Sequence, residues 1–374
     1  MSMFHELMMR KKEQIMYATI KGSLTENDGV FSGFSASNYL ALQQPFKLNA
    51  DTVAEFKVKI NLTSNTTLSG IIGTPNSYGM NFVSGSDSKL TLYLGNGSSW
   101  NVLNAKKGTT NLQSNTDYYI RLLINKGNIT LLLSTDDITY TTEFTTVITI
   151  SEEYIYDLSF GRARGTDQYT RGSIDLPKSY IKLGSTKYKL QAVVGYTIVG
   201  SPTIVDGVVS GFSSSDYLQI NNFTQDAYDK YLTNSEIVVK VKTTSKTDEQ
   251  ILSIPAGGSY SGFMIRNSNL ILWQLNGTTY RVSKSNVFQA NVDFYIKGTI
   301  QNNIATLSYS TDGINFEILN SLDISEMPKP TLNYNFLRLG IVYSNINPFV
   351  DGSIDLKGTY IKLDNKLWFN GQQA

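Results

Sequence analysis

Gly29-Val30-Phe31-Ser32-Gly33-Phe34-Ser35-Ala36-Ser37-Asn38-Tyr39-Leu40 returns 178 residues later as Gly207-Val208-Val209-Ser210-Gly211-Phe212-Ser213-Ser214-Ser215-Asp216-Tyr217-Leu218. Two further anchors repeat in the same order. Asn115-Thr116-Asp117-Tyr118-Tyr119-Ile120-Arg121 with Ser134-Thr135-Asp136-Asp137-Ile138-Thr139-Tyr140 is matched, 176 residues on, by Asn291-Val292-Asp293-Phe294-Tyr295-Ile296-Lys297 with Ser310-Thr311-Asp312-Gly313-Ile314-Asn315-Phe316. Gly172-Ser173-Ile174-Asp175-Leu176 and Tyr180-Ile181-Lys182-Leu183 are matched, 180 residues on, by Gly352-Ser353-Ile354-Asp355-Leu356 and Tyr360-Ile361-Lys362-Leu363. Nearly constant offsets mean a tandem duplication. A unit this long exceeds the roughly 20–50-residue periods of solenoids and propellers, so each copy is expected to own a core.

The whole chain agrees with that division. Its 374 residues exceed the ~250–300 at which single cores stop growing. The expected organisation is residues 1–20, a terminal segment outside the repeat, then domains over 21–190 and 191–374. Within each copy apolar residues alternate: Ala54-Glu55-Phe56-Lys57-Val58-Lys59-Ile60 and Ile237-Val238-Val239-Lys240-Val241-Lys242 read as half-buried strands. Asn96-Gly97 and Asn276-Gly277 follow apolar runs, and the pair predicts type I′ hairpin turns. No internal helix stands out, and many short strands between turn signals predict a β-sandwich.

Composition removes several functions. With 32 Lys+Arg against 31 Asp+Glu the net charge is +1, which gives no global field for nucleic acid or an anionic membrane. There is no cysteine and a single histidine, His5, so disulfides, thiolate chemistry and zinc–cysteine sites are excluded, and any triad would need that terminal residue. No apolar run is long enough to span a bilayer, and Arg10-Lys11-Lys12 follow a mixed segment, the reverse of a secretory signal. The chain is therefore expected to remain where it is synthesised unless an assembly carries it out.

Together, the Gly-Phe-Ser-x-Ser-Asn/Asp-Tyr-Leu opening, the Ser-Thr-Asp hairpin and the closing Gly-Ser-Ile-Asp-Leu with Tyr-Ile-Lys-Leu resemble concanavalin A-like (laminin-G-like) jelly rolls. In particular they are similar to the copies found in virion proteins of tailed bacteriophages. The closing segment, which in the second copy ends Leu367-Trp368-Phe369-Asn370-Gly371, is the most specific; Lys187-Tyr188-Lys189 replaces its Trp-containing end in the first. The resemblance spans about residues 22–190 and 197–371. It implies two tandem jelly-roll β-sandwiches, so that with the short N-terminal α-helix read from residues 3–16 the chain is all-β behind one helix, and it implies less about function, because this fold hosts lectins, glycanases and inert spacers.

Residues 3–16 carry Phe4, Leu7, Met8, Ile15 and Met16, with Glu6 four before Arg10, and predict a short amphipathic helix. So short a helix needs a partner. Lying outside the repeat, it is expected to attach the chain to other virion proteins or to its own symmetry mates through Phe4, Leu7, Met8 and Ile15, the alternative being a helix folded back on the first sandwich.

Sugar contact would use exposed aromatic faces flanked by amides. Trp100 and Tyr280, after the Asn-Gly pairs, and Tyr78 and Tyr260, in the preceding loops, are the candidates, with packing on the sandwich surface as the other reading. Hydrolysis would need two carboxylates about 5–10 Å apart. Glu152-Glu153 with Asp157 and Asp248-Glu249 lack the alternating acidic form and do not recur in the other copy. Asp175 and Asp355 read as outward strand positions or turn caps. No loop offers an EF-hand-like oxygen series, so no cofactor is expected, while calcium held by scattered carbonyls leaves no sequence trace. These readings point to a non-enzymatic structural or adhesive virion protein, made in the host cytoplasm, that decorates the particle or touches host polysaccharide. A glycan-processing enzyme or a free carbohydrate-binding module is the alternative.

Overall fold

A computed structural model describes residues 14–64, 67–165, 167–244, 248–256, 259–266, 270–276, 280–285, 287, 290–341 and 350–371. The chain divides into two compact units, the first ending at Ala192 and the second beginning at Val193.

The first unit is a sandwich of two antiparallel sheets. Its central strand, Val53–Leu62, lies between Gly172–Leu183 and Asp117–Asn125, and the sheet continues through Asn128–Ser134 to Thr141–Val147. The opposing sheet runs Gln14–Lys21, Tyr39–Leu42, Ser159–Phe160, Ser69–Gly73, Tyr78–Ser84, Leu90–Gly97 and Leu103–Lys107. Alternation sorts the side chains: Phe56, Val58, Ile60, Ile120 and Leu122 meet Leu40, Met80, Phe82 and Leu92 in one buried cluster, while Glu55, Lys57 and Lys59 turn to the other face.

The second unit repeats this order. Ser235–Thr243 lies between Gly352–Leu363 and Asp293–Gln301, followed by Ile304–Ser310 and Glu317–Asp323. Its second sheet runs Tyr196–Val199, Tyr217–Asn221, Phe336–Leu339, Leu252–Ala256, Ser259–Arg266, Leu270–Asn276 and Tyr280–Lys284.

The repeated motifs are the points where this architecture is pinned. Phe34 and Phe212 lie against Gly161 and Gly340; a Cβ at either glycine would come 2.0 Å and 2.1 Å from the ring. Ser35 Oγ accepts from the amides of Ser37 and Asn38, and Asn38 Oδ1 accepts from Ser23 N. In the closing strand, four residues bulge between Asp175, opposite Lys59, and Tyr180, opposite Lys57. Ser179 seals that bulge by donating to Asp175 O at 2.6 Å and accepting from Lys59 N at 3.0 Å. Thr359 does the same in the second unit, between Asp355 O and Lys240 N.

Four sequence expectations change. From Gln14 onward the terminal segment is a strand of the first unit, with Ala18 opposite Leu42. Ile15, expected on the attachment helix, therefore sits on that strand and is 40% exposed, while Met16 is 3% exposed in the core. The boundary at residue 20 consequently falls inside a strand. Alternating burial at Met16 and Ala18 offers the chain more than an isolated helical turn could. Phe4, Leu7 and Met8 lie outside the described residues. Second, the chain does hold an internal helix, Gln225–Thr233, capped by Thr224 and burying Ala227, Tyr228, Tyr231 and Leu232; that spacing is one helical face, with Asp226 and Lys230 paired across a turn at 2.7 Å. Third, the Asn96-Gly97 turn is not type I′, because only Gly97 has positive φ, +94°. Asn96 instead caps a longer loop: its Oδ1 accepts from the amides of Ser98 and Ser99. Its second-copy counterpart, Gly277, lies outside the described residues. Fourth, Trp100 and Tyr280, read as equivalent, occupy different places.

Candidate functional site

On the outer face of the first unit's second sheet, the pairing of Asn81 with Tyr93 brings both side chains away from Met80, Phe82, Leu92 and Leu94. The Asn96 loop crosses close over Gly95, where a Cβ would lie 2.2 Å from Ser99 O and 2.3 Å from Tyr78 O. That crossing folds Trp100 back over the sheet. Its ring centroid lies 5.0 Å from Tyr78, edge to face, and 5.2 Å from Tyr93, and the Arg164 guanidinium sits 3.5 Å over the Tyr78 ring. All three rings are half-buried.

Arg164 arrives on a segment whose described residues, 161–165 and 167–171, are laid across the same sheet. Arg164 N donates to Asn81 Oδ1 at 3.0 Å, Asn81 Nδ2 donates to Gln168 Oε1 at 3.0 Å, and Thr170 Oγ1 donates to Gly70 O at 2.6 Å. Only glycine lets the loop lie this close: a Cβ at Gly70 would be 2.5 Å from Ala163 N, and one at Gly73 would be 2.7 Å from Ala163 Cα. The result is a preorganised cluster of three half-buried rings with a guanidinium over one of them, while Asn81, buried, commits its amide to Arg164 N and Gln168 Oε1.

Thus Trp100 and Tyr78 come together, joined by Tyr93 and Arg164, which the sequence reading missed. Tyr93 had a signal, as the outward residue of Leu92-Tyr93-Leu94; Arg164 had none, since it arrives from about seventy residues away. In the second unit Tyr280 instead braces a neighbouring segment, its hydroxyl donating to Glu326 O at 2.9 Å beside Asn276 Nδ2 to Pro328 O at 3.0 Å. The pairing Phe263 with Trp273 corresponds to Phe82 with Leu92. Trp273 therefore points inward, fully buried and donating to Tyr231 Oη at 2.9 Å, and Gln274 takes the outward place of Tyr93. The side chain of Tyr260 lies outside the described residues.

The outer face of the other sheet carries a repeated ionic network. Glu55 accepts from Arg121 Nε at 2.7 Å and Tyr180 Oη at 2.6 Å. Burial works to raise its pKa, but the Arg121 and Tyr180 hydrogen bonds hold it below the usual carboxylate range, and Tyr180 is pushed up to about 12 by burial and by Glu55. Lys59 pairs with Asp117 at 3.0 Å and Asp175 at 3.2 Å; Lys240 pairs with Asp355 at 2.6 Å and reaches Asp293 at 3.8 Å. Asp175 Oδ1 also accepts from Lys178 N, so Asp175 both faces outward and caps the bulge. These carboxylates are occupied by cations. Glu153 likewise pairs with Lys47 at 3.2 Å.

Within this network three positions change together. Lys57 binds Asp137 at 2.6 Å, and Tyr140 Oη donates to Asp137 at 2.6 Å; the second unit has Val238, Gly313 and Phe316 in those places, equated by the pairings with Arg121 and Lys297 and by the Ser134 and Ser310 turns. Asp137→Gly alone, which suits the φ of +66°, leaves Lys57, 13% exposed, without its carboxylate and should cost about 1–2 kcal/mol. Adding Lys57→Val and Tyr140→Phe should restore about half of that. Urea denaturation of the single and triple variants checks it; additive losses would show that the three residues act independently.

Among the described residues no group of three or more His, Asp or Glu side chains is placed to hold a metal ion, and no helix is long and apolar enough to cross a membrane. No protein-family model matches the chain, and no curated protein matches it. Similar solved structures include mouse laminin alpha1 chain domains LG4-5, with 11% identity, 96% of each chain covered and a TM-score of 0.33. Another is the Ruminococcus gnavus IT-sialidase CBM40 bound to alpha2,3 sialyllactose, with 20% identity over 34% of this chain and 76% of that one, at a TM-score of 0.28. A third is the enzymatically active domain of bacteriophage CBA120 tailspike protein 2, with 14% identity over 48% of this chain and 32% of that one, at a TM-score of 0.32.

Proposed function

We propose that this chain is a non-enzymatic adhesive protein of a tailed-bacteriophage particle whose first unit contacts host-surface polysaccharide through Trp100, Tyr78 and Tyr93. The observation that carries the reading is the Trp100 platform: three half-buried rings gathered on an outer sheet face, with Arg164 stacked at 3.5 Å. Such a surface stacks on the apolar face of a sugar, while Asn81 and Gln168 lie beside it. The cations paired with Glu55, Asp137, Asp175, Glu236 and Asp355 support binding rather than hydrolysis, which needs an uncommitted acid and base. The virion setting rests on the sequence motifs, and attachment is assigned to the terminal segment containing Phe4, Leu7 and Met8. Many weak contacts on one particle add up, because tethering makes each later contact intramolecular.

The full chain should bind intact host cells and fail to bind cells stripped of surface polysaccharide. Trp100→Ala should weaken binding about tenfold, the equivalent of ~1.4 kcal/mol of lost stacking, with the β circular dichroism spectrum retained because the ring lies on the outer face of the sheet. Equal binding by the variant would remove Trp100 from the site, and release of reducing sugar from the polysaccharide would make the protein an enzyme.

A further inference from the structure

Three of the chain's eight arginines fall within ten residues, Arg162, Arg164 and Arg171, on the loop that covers the outer sheet of the first unit. Each guanidinium lies over a tyrosine ring: Arg162 over Tyr39 at 5.0 Å, Arg164 over Tyr78 at 3.5 Å and Arg171 over Tyr169 at 4.9 Å. None pairs with a carboxylate among the described residues. On the other sheet of the unit Arg121, Lys57 and Lys59 also lie near tyrosine rings, but each is neutralised by an acid at 3.2 Å or less.

Stacking on a ring uses the face of a guanidinium and leaves its N–H edge available to a planar oxyanion. Arg171 gives one N–H to Leu68 O at 3.1 Å. Arg162 Nε is buried without a hydrogen-bond partner, so an anion would meet this side chain at its terminal nitrogens. Arg162 is bridged to Tyr169, and Arg164 N to Asn81 and Thr170 to Gly70 O tie the described residues of the loop to the sheet. An aspartate, Asp167, is the loop's one acid, and it is exposed.

We infer that this arginine–tyrosine array makes the ligand of the first unit an acidic polysaccharide, its carboxylate or sulfate groups received by Arg162, Arg164 and Arg171 while a neighbouring sugar ring stacks at Trp100. This deepens the proposed glycan contact and rests on it. Three guanidiniums without a carboxylate partner among the described residues, one of them over Tyr78 of the aromatic platform, would recognise charge and sugar face together, which a platform alone does not.

The test is titration calorimetry of the full chain with polygalacturonate, hyaluronate, polysialic acid and heparin, each beside its methyl-esterified, carboxyl-reduced or desulfated counterpart. Binding of charged forms about tenfold or more tighter than their neutral partners is expected, as is a similar loss for Arg162→Gln, Arg164→Gln and Arg171→Gln, which keep the side-chain stem. Binding should also weaken steadily with added salt in the unmodified protein, a measurement that needs no variant. The carboxylated and sulfated arms separate the two anion chemistries. Equal binding of charged and neutral forms, lost in Trp100→Ala, would overturn the acidic ligand and keep the glycan site. Binding of none of the panel would overturn both.

Discussion

Gly172→Ala should destabilise the first unit by roughly 3 kcal/mol or more. Gly172 has a φ of +151°, a conformation closed to L side chains, and a Cβ there would lie 1.9 Å from Asn61 O and 2.8 Å from Leu62 Cα. Those are backbone atoms of the central strand Val53–Leu62, so relief requires moving the strand on which both neighbours are registered. Gly352→Ala should do the same to the second unit, where the Cβ would meet Lys242 O at 2.0 Å. Gly184→Ala separates the two causes: its φ is +57° but a Cβ would meet nothing within 4 Å, so it should cost only the ~1–2 kcal/mol of the left-handed backbone. In urea denaturation followed by tryptophan fluorescence and circular dichroism, a Gly172→Ala protein no less stable than Gly184→Ala would refute the steric argument.

The glycine that opens Gly-Ser-Ile-Asp-Leu was visible in the sequence as a repeated letter, and its reason was not, because the clash is with a strand more than a hundred residues away. The same division runs through the fold. Alternation in Ala54-Glu55-Phe56-Lys57-Val58-Lys59-Ile60 shows which residues face outward, since strand period is local. That Glu55 meets Arg121 and Tyr180 depends on strand order, which no local pattern carries. The helix Gln225–Thr233 carries its signal in the spacing of Ala227, Tyr228, Tyr231 and Leu232, a single turn-and-a-half of apolar face that strand signals on both sides outweigh. Trp100 and Tyr78 could be singled out as aromatic residues beside turns. Their union with Tyr93 and Arg164 needed the loop crossing at Gly95 and the loop over Gly70, and the expectation that Tyr280 mirrors Trp100 failed because matching Asn-Gly pairs precede loops that fold differently. The terminal segment misled for a related reason: Ile15 and Met16 fit a helical face as well as a strand edge, and the partner strand Tyr39–Leu42 decides between them.

Acid should remove a defined part of the second unit's stability through Glu236. Its carboxylate accepts from Lys362 Nζ at 2.6 Å, Lys297 Nζ at 2.8 Å and Tyr360 Oη at 2.9 Å. Burial favours the neutral acid, but those three donors outweigh it and hold the group at about 2, against 4.5 for a free glutamate. With the folded value below the unfolded one, the unfolded chain binds the proton more readily, so this contribution is complete above pH 4.5 and disappears as pH falls through about 2. The shift alone would correspond to ~3 kcal/mol; with the carboxylate 23% and Lys362 41% exposed, solvent screening reduces it to about 2 kcal/mol. Glu236→Gln should therefore be about 2 kcal/mol less stable at pH 7 and nearly equal to the unmodified protein at pH 2. Tyr360→Phe, which removes one donor of the three, should lose about 1 kcal/mol at pH 7. Asp136 also titrates near 2, held there by the amides of Thr139 and Ile138, and Asp312 is lowered by the equivalent amides of Asn315 and Ile314, so the unmodified protein loses stability in this window from several groups at once. The difference between its denaturation curve and that of Glu236→Gln, taken from pH 7 to pH 2, isolates the one carboxylate, because the two hairpin aspartates are common to both. A difference that stays constant across that range would show that Glu236 contributes through packing rather than through its charge.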